Sequence, residues 1–269
     1  MTATHMLYEV QTKVARNQNK YLSGKVGDIS TKHQFICWRE DLIADPPAVG
    51  QLITGEWDEE IVRGEPIFTL RTVGTVAGCK SEDRSKYFQC ATVNAAQLLQ
   101  LATSFLSDPK YVSLAKAITS VPNYASCSAS VRHHQPFFGG LVEHTYRVLK
   151  AYADLLAAGN PLVEGCEVNT VVLGILAHDI GKTLCYKVEE GIPPTKTDNA
   201  DRLDHVFAGA MLFTSVVGKL GGIDKKLVLD IMHIIAAHSG RKEWGATAEP
   251  ETKEAILIHA LDYFDAKVS

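Results

Sequence analysis

Residues 171–182 read VVLGILAHDIGK: seven apolar or small residues in a row, then a histidine beside an aspartate, then Ile-Gly-Lys. The unbroken apolar run belongs to a helix buried on every side. A lone histidine on such a helix is ordinarily a core residue with its ring nitrogens satisfied. An acid next to an imidazole at the end of the run is different, since burying the two costs on the order of several kcal/mol unless both are compensated. A metal ion is an effective compensation, because imidazole and carboxylate hold divalent transition metals without cysteine.

Outward from this pair the chain continues in long stretches of helical period. NAAQLLQLATSFL and YVSLAKAITSV are expected helices, separated by Ser107-Asp108-Pro109, whose proline suits a first helical turn. Further helices are expected over about 140–158, 168–180, 203–219, 225–238 and 251–267. Histidine and aspartate recur along them: His144 in GGLVEHTYRV, His205 in DHVFAGA, His233 and His238 in HIIAAHSG, and His259, Asp262 and Asp265 in HALDYFDA. The segment 186–202, with little apolar content and adjacent Pro193 and Pro194, reads as an exposed loop or short hairpin flanking a site.

Before about residue 80 the pattern is that of strands. YLSGKV, QFICW, GQLITGEW and PIFTLRTVGTV are short runs between Lys20 and Val76, punctuated by Gly24, Gly27-Asp28, Pro46-Pro47, Gly50 and Gly64. They suit a small antiparallel barrel or sandwich of about five strands; a barrel of this size ahead of a second domain is OB-like, although spacing alone does not separate it from other small barrels. The expected organisation is multidomain, with residues 1–80 as the barrel and residues 81–269 all-α, of which 81–125 are leading and connecting helices.

Residues 10–39 carry Lys13, Arg16, Lys20, Lys25, Lys32 and Arg39 against only Asp28, interleaved with Tyr21, Phe35 and Trp38. Cations can track phosphates while rings stack on bases, so Lys20, Lys25, Lys32 and Trp38 are candidate contacts to a single strand. The alternative is a solvated face with aromatics in the barrel core.

A chain of 269 residues, 46% hydrophobic and 22% charged, lies in the globular range. No run approaches the roughly 20 apolar residues of a membrane-spanning helix, and the opening MTATHMLYEVQTK lacks a secretory pattern, so the expectation is cytoplasmic with no membrane partner. The 6 cysteines contain no CxxC pair and indicate neither a disulfide framework nor a cysteine zinc site. A net charge of -4 gives no global attraction to nucleic acid, which would have to be held by a local basic surface or by bound metal.

His144, the adjacent His178-Asp179 and the later Asp262 together resemble the ligand pattern of HD-domain metal-dependent phosphohydrolases. HHQPFFGGLVEHT, LAHDIGK, AHSGRKEWGA and EAILIHALDYFDAK extend the resemblance, over most of residues 125–269, to YhaM-type 3′→5′ exoribonucleases, in which an OB-fold precedes the HD domain. The resemblance implies divalent ions, two in number, with manganese, iron or cobalt better suited than magnesium to mixed ligands. It implies His144, His178, Asp179, His205, His238 and Asp262 as metal ligands, with Asp179 bridging. Five residues separate His233 from His238, about 140° around a helix, so one of them is not a ligand. His238 matches the first histidine of the family's His-His-Gly segment, and Ser239 stands where the second would be, which reduces the second site.

His233, His259 and Asp265 are expected to orient ligands, with a core role as the alternative for His233 and a surface or capping role as the alternative for the other two. Asp179, Lys182 and His134 are the expected catalytic residues, and His133 and Arg241 are candidate substrate contacts. The implied function is a metal-dependent phosphodiesterase, a 3′→5′ exonuclease on single-stranded nucleic acid with RNA favoured over DNA, in which a metal-activated water attacks phosphorus and nucleoside 5′-monophosphates leave. A nucleotidase or cyclic-nucleotide phosphodiesterase with a regulatory barrel is a second reading; a nucleic-acid-binding adaptor with a degenerate HD site is a third. Oligomerisation is left open.

Overall fold

The structure, a computed structural model, describes residues 1–78, 84–189 and 192–268. The chain forms two compact units, one built on Met1–Gln89 and the other on Cys90–Glu189 with Pro194–Ser269. The change expected at residues 80 and 81 falls in 79–83, outside the described residues.

The first unit is a closed barrel of β1 (Thr2–Val14), β2 (Lys20–Gly27), β3 (Lys32–Cys37), β4 (Gln51–Val62) and β5 (Glu65–Gly78), in the order β1-β2-β3-β5-β4. Alternation along β2 sends Leu22 and Val26 into a core shared with Phe35, Ile53, Trp57 and Phe68. The barrel is tight enough that a Cβ on Gly24 would lie 1.8 Å from the carbonyl oxygen of Glu9. The architecture is the OB-like one expected, with two differences.

The strand β1 lies ahead of the apolar runs that signal the others. A register shift between Leu7 and Glu9 breaks its period, so that Met6 and Leu7 are both buried and the alternation that marks a strand is lost. The barrel is also not wholly antiparallel. The chain leaves β3 through α1 (Glu40–Ala44), β4 pairs with β1, and the β4–β5 hairpin then returns β5 alongside β3 in the same direction.

After α2 (Arg84–Tyr87), the second unit contains α3 (Ala95–Thr103), α4 (Pro109–Thr119), α5 (Gly140–Ala157), α6 (Val168–Ala177), α7 (Lys182–Cys185), α8 (Asp198–Leu220), α9 (Lys225–Ala237) and α10 (Lys253–Val268). Asn94 and Gln97 form a capping box at the start of α3, and Asp108 caps α4 with Pro109 in its first turn. The run beginning at Val171 is the central helix α6, buried from Thr170 to Ala177 and packed against α4, α5, α9 and α10. Gly174 permits that packing, since a Cβ there would lie 2.6 Å from Ile234 Cδ1 and 2.9 Å from Ile258 Cδ1. In the segment 186–202 the short strands β6 (Tyr186–Lys187) and β7 (Thr195–Lys196) pair, which favours the hairpin over the loop.

Two helices depart from their expected bounds. The helix expected over 168–180 ends at Ala177, and the one expected over 203–219 is longer, with a kink at Asp204 where φ is 56°. By length and composition alone, 23 residues with a mean hydropathy of 1.2 in the most apolar stretch, α8 could cross a membrane, but the kink at Asp204 interrupts it and it contains no unbroken apolar run of that length. In the helical unit it packs on α7 and α9, with Val206, Ala208 and Phe213 buried.

Candidate metal centre

The ligand side chains come from helix ends and kinks more than from helix interiors. His178 is the C-cap of α6 and His238 the C-cap of α9, while Asp179 lies in the turn that follows α6. His205 follows the kink at Asp204, and His144 and Asp262 project from α5 and α10. Ending α6 at Ala177 places His178 and Asp179 at the close of the buried helix, where both reach one centre.

Asp179 divides its two oxygens between two groups. Oδ2 is 3.3 Å from His178 Nε2 and 3.7 Å from His144 Nε2, while Asp262 Oδ1 lies 3.1 Å from His144 Nε2 and 3.9 Å from His178 Nε2. Oδ1 is 3.4 Å from His238 Nε2 and 3.9 Å from His205 Nε2. The structure thus forms one set of four potential ligands, His144, His178, Asp179 and Asp262, and one of three, Asp179, His205 and His238.

Hydrogen bonds on the far side of each ring fix its tautomer. His178 Nδ1 lies 2.7 Å from the carbonyl of Ile175, and His238 Nδ1 lies 2.9 Å from that of Ile235. A carbonyl only accepts, so Nδ1 carries the proton and Nε2 of the neutral ring presents a lone pair inward. Asp265 Oδ2 lies 2.9 Å from His144 Nδ1, and Asp204 Oδ1 lies 2.6 Å from His205 Nδ1. Across the centre the Nε2 atoms of His144 and His178 are 3.3 Å apart, as are those of His205 and His238. Facing lone pairs repel unless a proton or cation lies between them, and buried Asp179 Oδ1 has no hydrogen-bond partner. This donor set fits divalent transition metals.

The charges agree with that reading. Burial alone would raise both carboxyls; instead Lys182 and His178 hold Asp179 well below the ordinary carboxylate value, and His144 and His178 do the same for Asp262. Burial opposes a charge on His144 too, but Asp262 and Asp265 outweigh it and push its pKa up to about 9. A proton and a metal ion compete for that nitrogen.

A cavity of about 720 Å³ opens over the centre, lined among others by His133, His134, Lys182, His205, His238, Ser239 and Asp262. Lys182 Nζ is 2.5 Å from Asp179 Oδ2, so its ammonium neutralises the carboxylate from the cavity side. The His134 ring packs 5.1 Å from that of His144, its Nε2 is buried without a partner, and burial drives its pKa down to about 3. Ser239 Oγ lies 3.5 Å from His238 Nε2. His259 Nδ1 donates to the carbonyl of His238 at 2.7 Å and so braces the end of α9.

His233 stands apart from the expectation that it orients a ligand. Its Nε2 accepts the N–H of Glu251 at 3.0 Å and ties α9 to the loop before α10, five residues from His238 and on another face. Asp204, Gln135 and Arg147 were not singled out by the sequence. Gln135 Nε2 and Arg147 Nε donate to Asp265 at 3.0 and 2.5 Å, fixing the acid that orients His144. Arg147 lies three residues after His144, and that spacing on α5 was a usable signal.

On the barrel, Tyr21 and Trp38 stack with ring centroids 4.7 Å apart, and Trp38 is 46% exposed. Phe35 is not part of this face, being buried in the barrel core. Lys25 pairs with Glu9 at 2.9 Å, Lys32 Nζ lies 4.5 Å from the centre of the Tyr8 ring, and Lys20 is exposed. Arg241 is exposed and lies over the Trp244 ring.

With these side chains in place, the match of the HD domain family model to residues 141–267 identifies the helical unit as an HD domain, which supports a hydrolytic, metal-dependent phosphohydrolase activity. Among its relatives are proteins named 3′-5′ exoribonuclease YhaM from Listeria welshimeri, Listeria monocytogenes and Listeria innocua. Each is 22% identical over 229 residues, covering 82% of this chain and 70% of the relative. No solved structure matches the chain.

Proposed function

We propose that the protein is a metal-dependent 3′→5′ exonuclease on single-stranded RNA, releasing nucleoside 5′-monophosphates. The observation that carries this reading is the pair of ligand sets sharing Asp179 beneath a cavity large enough for a nucleotide. His144, His178, Asp179 and Asp262 would hold one divalent ion, and Asp179, His205 and His238 a second, with manganese, iron or cobalt suited to the donors. When bound, such ions activate water and neutralise charge on a phosphoryl group.

The remaining roles belong to the protein. Lys182, within reach of Asp179, supplies a fixed positive charge for a phosphate oxygen. His134, neutral near pH 7 with an unpartnered Nε2, can hydrogen-bond a phosphate oxygen or the leaving oxygen, and exposed His133 stands at the rim. Asp265 and Asp204 keep His144 and His205 aimed inward. The Tyr21–Trp38 stack and Lys20, Lys25 and Lys32 of the barrel supply stacking and phosphate contacts to the strand. The names of the relatives support RNA and the 3′→5′ direction. The location we infer is the cytoplasm.

Product analysis tests the proposal. A single-stranded RNA labelled at its 5′ end should shorten one nucleotide at a time, whereas one labelled at its 3′ end should release labelled mononucleotide from the outset. Intact polymers together with hydrolysis of free or cyclic nucleotides would favour the nucleotidase reading. Binding without any hydrolysis, across several metals, would favour the adaptor.

A further inference from the structure

We propose that the paired rings of Trp244 and Tyr263 form a stacking subsite for the base of the nucleotide whose phosphate sits at the metal centre. The proposal rests on the reading of that centre as one that cleaves nucleotide phosphates. Trp244 ends a short 3-10 turn, Lys242–Trp244, and Tyr263 lies on α10 immediately after the ligand Asp262. Their ring centroids are 5.7 Å apart with planes inclined by 18°, and both line the cavity that opens over the ligands.

Both rings are nevertheless about half exposed, Trp244 at 51% and Tyr263 at 45%. A pair of large aromatics held parallel and left open to water is a surface awaiting a flat partner. Arg241 lies over Trp244, 5.2 Å from its centroid, and Lys267 over Tyr263, 5.4 Å from its centroid. Both cations are exposed, so either can leave its ring for a phosphate oxygen while a base takes the vacated face.

The platform is tied to both ligand sets. Tyr263 is adjacent in sequence to Asp262, and His259, with centroids 6.4 Å from Trp244 and 6.0 Å from Tyr263, donates to the carbonyl of His238. Gly240, at φ 83°, lets the chain turn here, since a Cβ would lie 2.2 Å from the His259 ring. A base on these rings is therefore held at a fixed offset from the scissile phosphate. Stacking tolerates any base, so the subsite would distinguish a nucleotide from a base-free sugar phosphate and not one base from another.

Equilibrium binding of adenosine 5′-monophosphate and of ribose 5-phosphate to the metal-loaded protein tests the proposal without requiring polymer cleavage. The wild type should bind the nucleotide about tenfold or more tightly than the sugar phosphate. Trp244→Ala and Tyr263→Ala should each lose most of that difference, with ribose 5-phosphate affinity unchanged as the sign of an intact centre, and Trp244→Phe should restore it. A wild type with no preference, or alanine variants that retain it, would overturn the subsite. Failure of the exonuclease reading would show separately, in the end-labelled products, and would leave this binding difference in place.

Discussion

Asp179 is the residue on which both ligand sets depend, because each of its oxygens faces different imidazoles. Asp179→Ala leaves those rings facing one another without the shared charge, so metal content and turnover should fall together while helicity by circular dichroism stays near wild type. Asp265→Asn should cost about 10- to 100-fold in metal affinity or activity, because the acid orients His144. The second set lacks the carboxylate that Asp262 gives the first, and Ser239 offers a hydroxyl in place of an imidazole, so its ion should be the first to leave under chelator. Ser239→His should slow that loss. At this scale the sequence announced the acid-histidine pair plainly, since a buried carboxylate after an apolar run has few explanations. It did not announce Gln135, whose partner Asp265 only the folded chain brings near, nor Asp204, which turns onto the ring of its neighbour His205 only because the helix kinks there.

Helix ends aim the ligands, and glycine packing sets those ends. A Cβ on Gly181 would lie 1.8 Å from the carbonyl oxygen of His205 and 2.4 Å from the amide of Gly209, so α7 approaches α8 only through this glycine. Gly181→Ala should destabilise the helical unit by about 1–3 kcal/mol and displace His205, costing the ion of the second set before that of the first. Denaturant midpoints and metal content, measured on the same samples, check both parts. In the barrel, His5 is chiefly desolvated and lies near His33, so its pKa falls below the ordinary 6.5. Below that value the unfolded chain takes up a proton that the folded barrel resists, and stability should fall as pH drops. The barrel's denaturant midpoint should therefore decline between about pH 7.5 and about pH 5.5 by more in the wild type than in His5→Phe. Strand and helix types were legible from their periods, but the helix stop at Ala177 and the kink at Asp204 were not. The helical spacing of apolar residues carries past the first to Ile180, and an aspartate at positive φ carries no local signal.

The whole molecule joins an OB-like barrel to an HD domain, and the sequence conveyed that order because the two halves differ in hydrophobic period. The direction of β5 was hidden, since strand pairing across a barrel follows from closure and not from any strand's own residues. If the barrel holds the strand, replacing Lys20, Lys25 and Lys32 with Gln should weaken binding of a long oligonucleotide and flatten its salt dependence, the slope of log affinity against log salt falling by about 0.7 for each phosphate no longer neutralised, with hydrolysis of a small phosphodiester unchanged. Unchanged binding and salt slope would give the barrel another role. The central claim is a centre of two ions joined by Asp179, and metal stoichiometry in the full chain tests it most directly. Titration with manganese should give two ions per wild-type chain with unequal affinities, one remaining in His205→Ala and neither held tightly in Asp179→Ala. Two tightly held ions in the Asp179 variant, or a wild type that never exceeds one, would contradict it.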